Sequence, residues 1–160
     1  MPVQGGGQYA EVPECEGAMQ ADALAAEADE VLQAYGGEAG GGTGRIVVFG
    51  SKKDAKRFFK LVTSDDAEAC TVATNEVGLA PLSGGAAASA DLERGKLAGV
   101  KKSATLEGTI TVGDLVIAET DVAVRRGEVV IVDGIGEFAG ADAGLAGIVT
   151  EWVKATAERF

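Results

Sequence analysis

The sequence contains no histidine, and this absence excludes more chemistry than any other feature of its composition. Histidine is the side chain whose unperturbed pKa lies nearest neutrality, and it is the commonest metal ligand. Triads of the Ser-His-Asp or Cys-His type, the usual zinc sites and facial-triad iron sites are therefore excluded. Any reaction would have to use carboxylates, amines, hydroxyls, thiols or the backbone, and we predict no cofactor and no metal ion.

Long apolar runs are also missing, because no stretch approaches the ~20 residues that span a bilayer. Residues 1–10 lack the basic and apolar regions of a secretory signal peptide. The chain has two cysteines, Cys15 and Cys70, which are far apart. Such a pair is typical of reduced thiols in an intracellular protein. We therefore predict no membrane span and a cytoplasmic location.

Basic residues are scarce: 14 Lys and Arg stand against 25 Asp and Glu, giving a net charge of −11. This balance argues against nucleic acid as a partner, since phosphate binding needs a basic surface. Residues 1–44 contain eight acidic residues and no Lys or Arg, whereas residues 45–160 contain 17 acidic and 14 basic residues. The acidity therefore belongs to the N-terminal segment, which we expect to be a solvating arm or a docking element for something basic.

The same N-terminal segment predicts a two-part organisation. Helix propensity and a partial apolar stripe predict a helix over Ala18–Tyr35. Six of the nine residues from 36 to 44 are glycine, which is typical of a flexible linker. We predict an acidic arm over residues 1–44, with a helix and a Gly-rich linker, and a single α+β domain over residues 45–160.

A helix N-terminus is the clearest local signal in the middle of the chain. Arg45–Phe49 predicts a short strand, and Ser51 with Asp54 matches a capping box. Apolar residues at helical spacing then predict a helix over Lys52–Val62. The next region is weakly patterned; we expect a strand at Cys70–Thr74, a loop at Asn75–Gly85 and a short helix at Ala86–Leu97.

The second half predicts a β-hairpin in which the apolar phase shifts. Ser103–Val112 alternates cleanly, and Gly113-Asp114 is a two-residue turn signal before a strand at Leu115–Val124. Regular pairing would place Glu119 and Asp121 on the apolar face. Since a slip of one residue exchanges the faces, we predict a β-bulge or sharp bend between them.

The end of the chain predicts one more strand and a helix. Glu128–Asp133 is apolar on both faces, as in an interior strand. Asp142 can cap a last helix that runs to Phe160, with Trp152 packed on the sheet. The predicted fold is α+β: an antiparallel β-meander of about four or five strands, packed by a C-terminal amphipathic helix and a middle helix, with a glycine-tethered N-terminal helix.

The first candidate site is the strand-to-helix turn formed by Gly50, Ser51, Lys52 and Lys53. Backbone N–H groups and the helix dipole attract anions there, and a bound phosphate or carboxylate would offset the unfavourable position of two lysines in the first turn. The alternatives are a solvated basic helix face and an acidic partner, including the chain's own N-terminal arm.

The second candidate is a carboxylate cluster of Glu107, Glu119 and Asp121, with Asp133 nearby. Paired carboxylates can act as acid and base or hold a hard cation, although ordinary surface acids show the same spacing. Gly134-Ile135-Gly136 begins a G-x-G-x-x-A match to a dinucleotide fingerprint. The strand with an acidic residue that should follow does not exist in this chain.

Three functions follow from these observations. The leading hypothesis is a small acidic, non-catalytic structural, assembly or adaptor module that binds a protein partner or self-associates through its N-terminal helix. The second is a small protein that binds an anionic ligand at Gly50–Lys53. The third is a carboxylate-based enzyme, which needs a pocket that places Glu119 or Asp121 beside an apolar wall.

Overall fold

The computed structural model describes residues 12–141 and 144–160 and confirms the α+β class. A single 3₁₀ turn at Pro13–Cys15 precedes four helices and six strands. These are α1 (Glu16–Ala25), β1 (Asp29–Gly37), β2 (Gly40–Val48), α2 (Lys52–Val62), α3 (Asp65–Ser83), β3 (Ala88–Gly95), β4 (Ser103–Val112), β5 (Leu115–Arg126), β6 (Val129–Phe138) and α4 (Leu145–Ala157). The strands form one antiparallel sheet in the order β1-β2-β6-β5-β4-β3.

Helices cover both faces of this sheet. On one face, α1 and α2 pack on Val47 and Val130 while α3 packs on Ile110; we call this the three-helix face. On the other, α4 packs on Val124 and Ile131; we call this the one-helix face. Because both faces are covered in the middle of the sheet, the central strands β5 and β6 are buried on both sides.

Several local predictions are confirmed. Helix α2 spans Lys52–Val62, and its N-cap Ser51 accepts a hydrogen bond from the backbone N–H of Asp54, as in a capping box. Strands β4 and β5 are joined by the predicted two-residue turn, in which Gly113 has a φ of +61°. Trp152 packs against the core beneath α4, as its place in the apolar stripe predicts.

The predicted helix over Ala18–Tyr35 is wrong, since α1 ends at Ala25 and β1 begins at Asp29. The predicted flexible linker is also wrong, because residues 36–44 form the end of β1 and more than half of β2. Elements on both sides of residue 44 therefore share one sheet. Pairing of β2 with β1 and β6 outweighs the intrinsic preferences of these glycines.

Residues 65–97 also fold differently from the prediction. The expected strand and loop are one long helix, α3, and the expected helix at Ala86–Leu97 is largely strand β3. Helix α3 carries no clear apolar stripe, so the spacing of apolar residues in this segment does not predict a helix. Its threonines are accommodated because the hydroxyls of Thr71 and Thr74 donate to carbonyls one turn back, at Ala67 and Cys70.

The bulge prediction is wrong as well. The β4–β5 register runs unbroken from Val112 opposite Leu115 to Ser103 opposite Val124. The phase change needs no bulge because α4 covers the face that bears Val124, while Glu119 and Asp121 stay on the three-helix face. The predicted cap Asp142 lies outside the described residues, and α4 begins at Leu145.

The two cysteines form a disulfide, which corrects the prediction of free thiols. Cys15 ends the 3₁₀ turn and Cys70 lies on α3, so the bond ties the start of α1 to the long helix across a sequence separation of 55. Both residues are buried beside Val12. Within residues 12–141 and 144–160, none of the helices is long and apolar enough to cross a bilayer.

Candidate functional site: a buried carboxyl pair beside a cavity

Two carboxyl residues lie on the three-helix face of β5, where a core residue would be expected. Glu119 and Asp121 are two positions apart on the strand, so their side chains point to the same side. Glu119 is only 8% exposed, and Asp121 is partly buried. The two carboxyl groups are close enough to interact, and a hydrogen bond between them would require a proton on one of them.

Glycines on the flanking strands make room for these carboxyl groups. Glu119 lies between Gly108 on β4 and Gly136 on β6, and Asp121 lies opposite Gly134 on β6. A Cβ atom at position 134 would overlap Oδ1 of Asp121, and one at position 136 would lie 3.0 Å from Oε2 of Glu119. The sequence Gly134-Ile135-Gly136 is therefore part of a strand, and its glycines accommodate buried acids.

Burial and mutual charge both act on the pair. Burial raises the pKa of Glu119, and the charge of Asp121 and the hydrogen bond to it raise that pKa further. Burial also raises the pKa of Asp121, with the hydrogen bond from Glu119 opposing the shift and the charge of Asp133 adding to it. Burial therefore favours the protonated form of both carboxyl groups.

A cavity of about 460 Å³ opens above Asp121, bounded by α1, α2, α3 and the three-helix face. Asp121 and Gly134 lie on its floor, and Arg45 of β2 lies in its wall. Its apolar lining includes Ala21, Phe59, Val62, Leu106 and Val132. A neighbouring cavity of about 540 Å³ is lined by Gly136, so the carboxyl pair lies between two cavities on one face.

Arg45 is held by three contacts on the same face. Its Nη1 donates to Oδ1 of Asp22 at 2.7 Å, and its Nε donates to Oε1 of Glu30 at 2.5 Å. The guanidinium also lies 5.5 Å from the ring centroid of Phe58, within the range of a cation–π contact. The positive charge of Arg45 is thus already engaged by Asp22 and Glu30.

The structure brings together only part of the predicted carboxylate cluster. Glu119 and Asp121 meet, but Glu107 lies opposite Thr120, is exposed and belongs to the one-helix face. Asp133 also faces that side, opposite Val122. The pocket that a carboxylate enzyme would require does exist, since Asp121 stands beside the apolar side chains of the cavity.

The predicted anion site at the start of α2 lies on the surface, away from the carboxyl pair and its cavities. Gly50, Lys52 and Lys53 are exposed, and none of them lines the cavities described above. The Ser51 hydroxyl is engaged by Asp54, donating to its carboxylate at 2.6 Å and accepting from its N–H. Anion binding at this turn stays a prediction.

Sequence reasoning named Asp133 but did not reveal that it is buried and hydrogen-bonded to Tyr35. The hydroxyl of Tyr35 on β1 donates to Oδ1 of Asp133 on β6 at 2.6 Å, across strand β2. Burial raises the pKa of Asp133, while the hydrogen bonds from Tyr35 and from the Gly134 backbone lower it. The sequence placed Tyr35 in a predicted helix. The available signal was the pair of glycines at 42 and 44, which lie on one face of β2 and leave room for a side chain to cross that strand.

The chain has no close relatives among the proteins compared with it. It matches no family model and no curated protein. Among solved structures it is similar to the crystal structure of the extracellular domain of PknH from Mycobacterium tuberculosis, at 12% sequence identity. That similarity covers 93% of this chain and 76% of the other, with a TM-score of 0.49, and at this level it implies nothing about function.

Proposed function

We propose that this chain is a domain that binds a small organic molecule in the cavity above Asp121. The observation that carries the proposal is a partly buried carboxyl group, that of Asp121, on the floor of a largely apolar cavity of about 460 Å³. Pockets for small molecules have volumes of roughly 300–1,000 Å³ and combine an apolar lining with a few placed polar groups. The placement of acids in a core is costly to stability, which favours a functional reason for keeping them.

The assembly function predicted from the sequence has less support. It relied on an N-terminal helix that is free to dock elsewhere. Ala21 and Ala25 of α1 are instead buried against α2 and the sheet, and Cys15 ties the start of this helix to α3. Binding of a protein partner, self-association and the lack of nucleic-acid binding stay predictions. The predicted cytoplasmic location has less support too, since a disulfide favours an oxidising compartment.

Acid–base chemistry on the bound molecule is a second candidate. A carboxylic acid and a carboxylate held side by side can donate and accept a proton at one site. Turnover of the bound molecule, abolished in Glu119→Gln and in Asp121→Asn but retained in Glu107→Gln, would establish this function. Glu107 provides a control with the same change of charge on an exposed position of the neighbouring strand.

The binding function is tested by native mass spectrometry of protein purified from its own host, together with a fragment screen observed by NMR. Ala67 lines the cavity and Ala69, on the same helix, is exposed outside it. We expect Ala67→Phe to fill the cavity and remove binding, while Ala69→Phe retains it. If neither a retained mass nor any fragment is lost specifically in Ala67→Phe, the proposal is wrong.

A further inference from the structure

We propose that the molecule bound in this cavity is an organic cation with an apolar body, and that its protonated amine pairs with Asp121. This inference rests on the proposed function and names the chemical class of its ligand. It follows from three observations: the ion pairs formed by the charged residues around the cavity, the position of Asp121 on the cavity floor, and the apolar side chains above it.

Asp121 takes part in no ion pair within the described residues, although Lys96 also lines the cavity. Among residues 12–141 and 144–160, the ion pairs are made by Arg45 and Arg94. Arg45 is shared by Asp22 and Glu30, and Arg94 by Asp65 and Glu68. These ion pairs therefore do not compensate a charge on Glu119 or Asp121, and an ionised carboxylate placed in a core needs such compensation.

A protonated amine can take over the role of a basic side chain at this position. Its N–H groups would donate to the Asp121 carboxylate, which lines the cavity, and its positive charge would offset the cost of ionising that group. An anionic ligand would face Asp121 and Glu119 with the wrong sign. A neutral alcohol could donate one hydrogen bond but would leave the charge uncompensated.

The rest of the cavity suits the carbon body of such a ligand. Phe59 and Val62 of α2 and Leu106 of β4 are among its apolar walls. Gly134 adds no side chain to the floor, and Oδ1 of Asp121 occupies the space above it, so the carboxyl group is the polar group that a ligand meets there. The site thus offers one charged anchor at the bottom and apolar contact above it.

Binding of the amine should also release protons, because a cation beside the pair lowers the pKa of both carboxyl groups. The other charged groups that line the cavity come from α1, β2, α3, β3 and the segment after β3, whereas α2 contributes apolar side chains. They are Asp22 on α1, Arg45 on β2, Glu68 on α3, Arg94 on β3 and Lys96 after β3. Four of them are paired with one another or with neighbouring acids, so the carboxyl pair is the group whose protonation should change.

Three matched probes test the charge preference: phenethylamine, 2-phenylethanol and phenylacetate. Titrations are followed by the NMR signals of the Gly134 and Gly136 amides in the full chain. We expect phenethylamine to bind at least tenfold more tightly than 2-phenylethanol, a difference of about 1.4 kcal/mol, and phenylacetate not to bind. Asp121→Asn should lose at least tenfold in affinity for the amine, while Glu107→Gln should retain it.

A second experiment uses calorimetry on the unaltered protein, so that the charge preference can be tested even if Asp121→Asn does not fold. At one pH, the apparent binding enthalpy of phenethylamine should differ between phosphate and Tris buffers by an amount that corresponds to proton release. If the alcohol or phenylacetate binds at the same amides as tightly as the amine, or no protons are released, this inference is overturned while the proposed function stands. If none of the three probes perturbs these amides, this inference is overturned, and the proposed function is decided by native mass spectrometry and the fragment screen.

Discussion

Gly134 lies directly opposite Asp121 in the β5–β6 pair, and Oδ1 of Asp121 occupies the space that a side chain at position 134 would need. The first prediction follows from this relationship. Gly134→Ala should destabilise the fold by about 1–3 kcal/mol, the usual cost of overpacking a core, because the Asp121 carboxyl group must move. Denaturant unfolding at neutral pH measures the loss.

A second substitution identifies the cause of that loss. In the double variant Asp121→Ala/Gly134→Ala the clash is removed, so the two changes should cost less together than the sum of their separate effects. Gly147, which is exposed within α4, serves as the control. Gly147→Ala should stabilise the protein by about 0.5–1 kcal/mol. Additive effects at positions 121 and 134 would contradict the proposed crowding.

The second prediction concerns pH and the pair Glu119–Asp121. Both pKa values are raised above the ordinary carboxyl values of about 3.9 and 4.3. Above that range the pair binds more protons in the folded state than in the unfolded state, so its contribution to stability is fully present at low pH and is lost as pH rises. The slope is up to about 1.4 kcal/mol per pH unit for each proton.

Glu119→Gln removes one of these titrations and keeps the size of the side chain. Its free energy of unfolding should therefore fall less steeply between about pH 5 and pH 8 than that of the unaltered protein, a range above the ordinary carboxyl pKa values. Glu107→Gln makes the same change at an exposed position and should leave the slope as it is. A steeper or unchanged slope in Glu119→Gln would show that Glu119 is ionised in the folded state.

The third prediction tests the hydrogen bond between Tyr35 and Asp133. Tyr35→Phe removes the hydroxyl donor and leaves a buried acid, 4% exposed, with one donor fewer. We expect a loss of about 1–3 kcal/mol in the free energy of unfolding. The loss should be smaller when Asp133→Ala is already present, because no acceptor then remains. Equal losses in the two backgrounds would mean that Tyr35 acts through packing alone.

The parts of the fold that the sequence predicts correctly are those governed by local chemistry. The Ser51 cap and the apolar spacing after it define α2, and the alternation around Gly113 defines the β4–β5 hairpin. In these segments, side-chain periodicity and turn chemistry agree with the tertiary contacts. The C-terminal helix and the position of Trp152 follow from the same kind of periodicity.

The missed elements depend on contacts that are distant in sequence. A Cβ at Gly42 would lie 2.9 Å from the Tyr35 hydroxyl, and one at Gly44 would lie 3.2 Å from Oδ2 of Asp133. These glycines are therefore required by side chains that cross β2. A run of glycines in isolation is more typical of a linker, so propensity alone could not place them in a strand.

The sequence did contain a signal of the candidate site, but the bulge predicted from it is wrong. Regular pairing placed Glu119 and Asp121 on the apolar face, and the structure keeps them there. A bulge would be needed only if the core excluded acids and if the threonine-bearing face of β4 were exposed along its whole length. Neither condition holds, because Glu119 is buried and α4 covers the part of that face next to Val122 and Val124. Recognising Gly134 and Gly136 as the partners of these acids required the β5–β6 register, which the sequence does not supply.

The last prediction concerns the disulfide between Cys15 and Cys70. A cross-link over a separation of 55 residues restricts the unfolded chain, and the chain-entropy relation gives a stabilisation of about 4 kcal/mol. Reduced protein should unfold at a lower denaturant concentration, and Cys15→Ala/Cys70→Ala should match it closely, since both lack the cross-link.

Thiol titration of the native protein supplies the control and should find no free thiol before reduction. Two reactive thiols, or equal stability with and without reductant, would mean that the bond does not form in solution. Because Cys70 also lines the cavity above Asp121, the same reduced sample should bind the cavity's ligand less tightly.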